Sequence, residues 1–338
     1  MKRAAPIFAL PALTLAALLT SAHAQQITGA GATFPAPVYS KWGEAAKTAL
    51  GIELNYQAIG SGGGQNQILN RTVDFGASDA PVDAEKLETG KLLQFPSVMG
   101  AVVAIVNLPG IKENALRLTG PILTEIYSGK ITKWNDPKLI ELNPGVSLPA
   151  LAIAPVYRAD GSGTTFVFAS YLAAVSPEWK DKVGAATSLK WPAGTGAKGN
   201  DGIAASVANI QGAIGYVEYA YASQNKLTTV QLKNKDGQFI APTSAGFQAA
   251  AASGDWANAR NFAVNLIDQP GAASWPIVSA TFILLPRDPR DKTRSGNVLK
   301  FFDWAYKDGD KIATSLDYIP LPAAVKDTVR KAWAADFR

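Results

Sequence analysis

Three short segments carry residues able to hold an anion. Thr28-Gly29-Ala30-Gly31-Ala32-Thr33-Phe34, Ser61-Gly62-Gly63-Gly64 and Asp160-Gly161-Ser162-Gly163-Thr164 each run into a stretch with helical spacing. A helix start has unpaired N–H groups and the positive end of the peptide dipole. Glycine lets backbone approach a ligand, and a Ser or Thr hydroxyl adds a donor; together they suit phosphate-like anions. Charged hydrogen bonds of about 1.5–3 kcal/mol each can offset desolvation and leave the roughly 8 kcal/mol that micromolar binding needs. Taken singly, each segment also reads as an ordinary helix cap.

The third segment is the most specific. Arg158 offers a planar fork matched to an oxyanion, and Asp160, two residues on, is placed to brace it, although the pair alone also reads as a surface ion pair. Asp79, in Ala77-Ser78-Asp79-Ala80-Pro81, reads alone as a turn or cap residue. Gly194-x-Gly196-x-x-Gly199 fits a dinucleotide fingerprint, but no clear strand precedes it, so Lys190 to Gly202 is expected to be a loop. There is no P-loop Gly-Lys-Ser/Thr.

The elements that must position these residues alternate. Helical spacing of Val38, Trp42, Ala45 and Ala49 precedes a half-buried strand over Ile52–Ala58, then a helix with Gln65, Ile68 and Leu69. A strand is expected over Val73–Ala77, a helix over Asp83–Lys91, and a strand covered on both faces over Val98–Val106. The pattern continues with strands at Ile153–Tyr157 and Ala213–Val217 and helices at Thr164–Ala174, Glu218–Gln224 and Asp255–Ile267. Trp275–Leu285 reads as a strand, and the tail is helical through Leu299, Phe302, Tyr306, Val325, Val329 and Trp333. This alternation implies an α/β architecture. Gly60-Ser61-Gly62 and Gly161-Ser162-Gly163 echo one another about a hundred residues apart, one turn for each half of the chain.

Composition excludes much chemistry. Met1-Lys2-Arg3, the apolar run Ala4–Thr20 and Ala22-His23-Ala24 read as a secretory signal, residues 1–24, cleaved after Ala24. The formal charge of +5 less Lys2 and Arg3 leaves +3. The single His leaves with the signal, and the chain has no Cys. Ser-His-Asp or Cys-His catalysis, His- or Cys-ligated zinc, disulfides, haem and a lipoprotein anchor are therefore ruled out. No later apolar run reaches the roughly 18 residues that suggest a membrane span. Lys and Arg are scattered, so no nucleic-acid partner is expected. Of the 338 residues, the 314 that follow the 24-residue signal suggest two domains.

Read together, these stretches resemble the periplasmic phosphate-binding proteins of high-affinity phosphate ABC importers. The matching segments are Thr28–Tyr39, Val73–Pro81, Arg158–Thr164, Lys198–Ala205, Gly212–Tyr221 and Phe301–Tyr306, spread over nearly the whole chain after the signal. The resemblance implies a two-lobed type II periplasmic-binding fold: two mixed-sheet α/β lobes joined by two crossover strands, Val98–Val106 and Trp275–Leu285. Lobe I is then 25–106 with 276–338, and lobe II is 107–275. It implies phosphate contacts from Thr33, Phe34, Ser61 and Asp79 on one lobe and Arg158, Ser162, Gly163 and Thr164 on the other. Thr33, Ser61, Ser162 and Thr164 would supply hydroxyls, and Phe34 and Gly163 backbone N–H groups. Asp160 would be bonded to Arg158. The family often has Ser-Ser where this chain has Ser61-Gly62, which leaves Ser61 as the candidate hydroxyl there.

On that resemblance Asp79 is the selectivity filter, paired by a protonated phosphate and repelled by sulfate, with arsenate able to compete. The implied protein is a monomer in the periplasm that needs no cofactor or metal, is not an enzyme, and passes inorganic phosphate to membrane permease subunits. The alternatives are a binder of another tetrahedral oxyanion and, less favoured, a secreted hydrolase or phosphatase using Ser162 or Thr164.

Overall fold

The structure is a computed structural model that describes residues 25–337. The expected signal, residues 1–24, lies outside the described residues. The chain opens with β1 (Gln25–Gly31), α1 (Ala36–Leu50), β2 (Ile52–Ala58), α2 (Ser61–Leu69), β3 (Phe75–Ser78), α3 (Ala84–Thr89) and the long β4 (Leu92–Val106). Its middle contains β5 (Arg117–Leu118), α4 (Gly120–Tyr127), α5 (Pro137–Leu142), β6 (Ala154–Arg158), α6 (Gly163–Val175) and α7 (Pro177–Lys182). There follow β7 (Thr195–Ala197), α8 (Gly199–Asn209), β8 (Ala213–Glu218), α9 (Tyr219–Gln224), the short β9 (Thr228–Thr229), β10 (Gln231–Lys233) and β11 (Phe239–Ile240), and α10 (Ser244–Ala252). The tail is β12 (Val278–Pro286), α11 (Lys292–Asp308), α12 (Asp310–Ser315) and α13 (Ala323–Asp336).

One strand joins the two halves. The main sheet runs β2-β1-β3-β12-β4-β8-β6-β7, and β4 lies at its centre. From Leu92 to Ala101, β4 pairs antiparallel with β12; from Val102 to Val106 it pairs antiparallel with β8. Every residue of β4 is buried, as a strand covered on both faces should be. The expected strand began at Val98; the true one starts six residues earlier and crosses Pro96. A bulge opposite Thr281 and Phe282 absorbs that proline. These features give the two-lobed, mixed-sheet α/β architecture expected for the class.

Packing holds the site from behind on both sides. α1 enters through Pro35 and Pro37, buries Val38, Tyr39, Trp42 and Ala46, and ends at Gly51 in the left-handed region. Tyr39, Tyr56, Phe75 and Phe302 pack edge-on or stacked under β1–β3, with Tyr39–Tyr56 centroids 5.0 Å apart and Phe75–Phe302 5.3 Å. On the other side Phe168 of α6 stacks on Tyr216 of β8 at 4.3 Å. Each such pair adds about 0.5–1.5 kcal/mol beyond burial, so both walls are rigid where helix starts meet strand ends.

Two expectations are corrected. Asp255–Ile267 forms no α-helix, only a 3₁₀ turn at Arg260–Phe262 with Asn261 at φ 51°. Short polar side chains compete for the backbone there: Asp255 accepts from the Asn258 N–H, and Asn265 from the Ile267 N–H. The Asn261 carbonyl is taken by Gln94 Nε2 at 2.7 Å. Lys190–Gly202 is not all loop. β7 pairs parallel with β6, and α8 begins at Gly199. Only three residues form that strand, too few for a periodic signal.

Candidate anion-binding site

The predicted residues converge where β1, β3 and β6 end and α1, α2 and α6 begin. Parallel pairing of β1 with β2 and β3 brings their C-terminal ends level, so Thr33, Ser61 and Asp79 share one wall. β6, β8 and the start of α6 form the opposite wall, with Arg158, Ser162, Gly163 and Thr164. Thr33, Phe34, Ser61, Asp79, Arg158, Ser162 and Thr164 are all buried. Ser162 caps α6 by accepting from the Thr165 N–H at 3.0 Å. Gly163 and Thr164 follow it in the first turn, where N–H groups have no intrahelical partner.

Close approach explains two glycines. A Cβ on Gly163 would overlap Ser61 Oγ and come within 2.6 Å of Asp79 Oδ2, so those groups meet α6 across the gap. Gly60, at φ +89°, turns the chain from β2 into α2, and a Cβ there would overlap Asp160 Oδ2. The two walls touch directly as well: the Gly62 N–H donates to the Gly161 carbonyl at 2.8 Å.

Arg158 is held by its partners. Its Nε and Nη2 donate to Asp160 at 2.7 and 2.6 Å, and Nη1 to Thr164 Oγ1 at 3.3 Å. A guanidinium has five N–H donors, so one on Nη1 and one on Nη2 stay free along one edge. Burial would raise the Asp160 carboxyl. The Arg158 hydrogen bonds and charge, with the Gly199 N–H, outweigh it and hold Asp160 below the usual carboxylate range. Arg158 and Asp160 nearly cancel, so the attraction for an anion comes from aligned dipoles and hydroxyls.

Asp79 is the unusual group. Its Oδ1 accepts from Thr281 Oγ1 at 2.7 Å, and its backbone N–H donates to Ser61 Oγ at 3.1 Å. Its Oδ2 is buried and has no hydrogen-bond partner. Burial pushes the carboxyl up to about 7, against the lowering effects of Thr281, the Arg158 charge and Ser61. An unpaired buried acceptor of this kind costs about 1–3 kcal/mol. The cost disappears when a ligand oxygen presents a proton.

The hydroxyls are also prepared. Thr33, Ser61, Ser162 and Thr164 each accept from a donor of the chain, and the Ser61 hydroxyl also lies close enough to Asp79 to lower its carboxyl. Four hydroxyls, the Gly163 and Thr164 N–H groups and two guanidinium N–H groups line the space as available donors, opposite one orphaned carboxylate oxygen. Such a set can take a tetrahedral oxyanion that carries at least one proton. Among the described residues no group of three or more His, Cys, Asp or Glu side chains is placed to hold a metal ion. Beside the site a cleft of about 350 Å³, lined by Thr33, Ile59, Asp160 and Lys198, opens outward.

Behind Phe34, Tyr318 Oη lies 2.6 Å from the Phe34 carbonyl and 2.9 Å from Glu218 Oε2. The Tyr318 phenol thus faces both acceptors with its single proton. Burial raises the Glu218 carboxyl well above its ordinary value, against the hydrogen bonds from Tyr318 and the Ala220 N–H.

Two further residues of the site were not singled out from sequence. Thr281 orients Asp79, and Asn200 contacts both Thr33 and Thr164 at 2.7 and 3.1 Å. One of two hydroxyls, Ser279 and Thr281, in an otherwise apolar strand and an amide beside Gly199 were the available signals.

Comparison with known proteins agrees with this geometry. A family model described as a PBP superfamily domain matches residues 19–308. The phosphate-binding protein PstS of Pasteurella multocida is 48% identical over 327 residues, covering 97% of this chain and 95% of that protein. The PstS protein of Haemophilus influenzae is 48% identical, covering 95% and 96%. Among solved structures, a high-affinity periplasmic phosphate-binding protein (PfluDING) bound with phosphate superposes with a TM-score of 0.72 at 23% identity, covering 91% of this chain and 93% of that one. That likeness concerns the fold.

Proposed function

The chain belongs to the PBP superfamily and, within it, to the family of the phosphate-binding proteins PstS, and from that premise we propose that it binds inorganic phosphate between its two lobes and delivers it to the membrane permease of an ABC importer. The observation that carries this reading is the buried, partnerless Asp79 Oδ2 facing a set of donors. Thr33, Phe34, Ser61, Asp79, Arg158, Ser162, Gly163 and Thr164 contact the anion, and Asp160 holds Arg158 in place. Phe34 and Gly163 act through backbone N–H groups. A protonated phosphate oxygen donates to Asp79 Oδ2, and the remaining oxygens accept.

Residues 25–106 with 276–338 form one lobe and 107–275 the other. β4 crosses between the lobes, changing partner from β12 to β8 at Ala101/Val102, five residues before that boundary. Phosphate enters with the lobes apart, and bending at β4 and at the segment leading into β12 brings them together. Residues 1–24 direct the chain to the periplasm and are removed there. The mature protein acts as a monomer, turns over no substrate, and binds no nucleic acid. The absence of Cys, and of any His beyond His23, supports a binding rather than a catalytic role.

Calorimetry tests the reading: one phosphate per chain should bind at micromolar or better affinity, with arsenate competing. Heat from molybdate or another oxyanion but not phosphate would favour the alternative ligand class. Phosphate release from a phosphomonoester would favour a hydrolase.

A further inference from the structure

Asn200 links the two walls of the site through one amide group. It is fully buried at the start of α8. Its Oδ1 accepts from the Glu218 N–H at 3.0 Å, which fixes which end of the amide is which. Nδ2 therefore faces the site, 2.7 Å from Thr33 Oγ1 on one wall and 3.1 Å from Thr164 Oγ1 on the other. Both amide hydrogens are used, one on each hydroxyl oxygen. Each oxygen also accepts a second time: Thr33 from the Asn200 N–H at 3.3 Å, Thr164 from Arg158 Nη1 at 3.3 Å. With two donors on each oxygen, each hydroxyl has only its proton left to offer.

We propose that Asn200 is a positioning residue that forces Thr33 and Thr164 to act as donors toward the anion and ties the two walls together once they meet. Asn200 itself does not touch the ligand. The inference rests on the phosphate-binding reading. It explains why a site with little net positive charge grips an anion: its hydroxyls need no reorientation when the ligand arrives. It also explains an asymmetry, because both threonine hydroxyls are fixed as donors while Asp79 Oδ2 is left as an acceptor.

The test uses Asn200→Asp and Asn200→Ala in the full protein, with inorganic phosphate as the probe. Asn200→Asp keeps the size and the acceptor for the Glu218 N–H but replaces the donor by a second acceptor, which draws both threonine protons away from the anion. Asn200→Ala removes the donor together with the acceptor for the Glu218 N–H. Phosphate affinity should fall about tenfold or more in Asn200→Ala and further in Asn200→Asp, and phosphate should dissociate faster from both. In a Thr33→Val background, Asn200→Ala should cost clearly less than in the wild type, because the hydroxyl it orients is gone. Wild-type affinity in both Asn200 variants, or an equal cost with and without the Thr33 hydroxyl, overturns the proposal. Unfolding midpoints without phosphate report whether each variant is folded; should Asn200→Ala fail, the isosteric Asn200→Asp decides. A wild-type protein that binds no phosphate would instead sink the functional reading itself.

Discussion

Thr281 Oγ1 donates to Asp79 Oδ1 at 2.7 Å and leaves Asp79 Oδ2 buried with no partner. The register sets this relationship. β3 pairs antiparallel with β12, Ser78 opposite Phe282, so the residue after β3 lies beside Thr281. The bulge between Thr281 and Phe282 falls at the same place, where a change of twist can re-aim a side chain. One oxygen of the carboxylate is thus anchored and the other is reserved for the ligand.

Asp79→Asn should narrow the preference for phosphate over sulfate by at least about tenfold. The amide keeps an acceptor for Thr281 and turns a donor toward the anion. That donor suits sulfate and opposes a protonated phosphate oxygen. Calorimetry of the variant with both anions reads the ratio, and an unchanged ratio would remove Asp79 from the selectivity.

Sulfate binding should depend steeply on pH. Burial first, against the hydrogen bond from Thr281, the Arg158 charge and Ser61, puts the Asp79 carboxyl at about 7. Below that pH the free protein already carries a proton on Asp79 and can donate it to sulfate. Above it, sulfate binding must take up one proton, so affinity should fall about tenfold per pH unit. Phosphate brings its own proton and should change much less. Parallel slopes for the two anions between pH 7 and 9 would contradict this account.

In the proposed closure the two walls meet backbone to backbone at Gly62 and Gly161. A Cβ on Gly62 would lie 3.2 Å from Gly161 Cα, and the Gly62 N–H donates to the Gly161 carbonyl. Gly62→Leu should hold the walls apart and weaken phosphate at least about tenfold, roughly the loss of one to two hydrogen bonds. Its ligand-free stability should be unchanged or higher, since leucine favours helix over glycine by up to about 1 kcal/mol. Paired urea melts and calorimetry separate these effects, and full affinity in Gly62→Leu would show that this contact is not needed.

Arg158→Ala removes the two free guanidinium N–H groups and leaves Asp160 facing the anion without its partner. Two charged hydrogen bonds at about 1.5–3 kcal/mol each predict a loss of at least about 100-fold in phosphate affinity. Arg158→Lys, which keeps the charge but not the fork, should fall between. An unchanged dissociation constant in Arg158→Ala would place the site elsewhere.

Much of this site was legible in sequence because its chemistry is local. Gly-Ser-Gly turns before apolar runs mark helix starts, and Arg158 and Asp160 stand two residues apart, so their ion pair at 2.6 Å needs no distant element. What escaped is non-local. Asn200 meets Thr33 across 167 positions, and only because β7 carries α8 onto β6. Thr281 looks like any β-branched residue in a buried strand until β3 is set beside it. The false helix over Asp255–Ile267 arose from apolar spacing alone; asparagine and aspartate side chains there satisfy the backbone locally instead.

The most direct measurement is calorimetry of the wild-type protein at pH 8 with phosphate and with sulfate. The account predicts one phosphate per chain and sulfate weaker by about 10⁴, the scale on which sites reject ligands that leave a buried polar group unpaired. Comparable affinities for the two anions would contradict it.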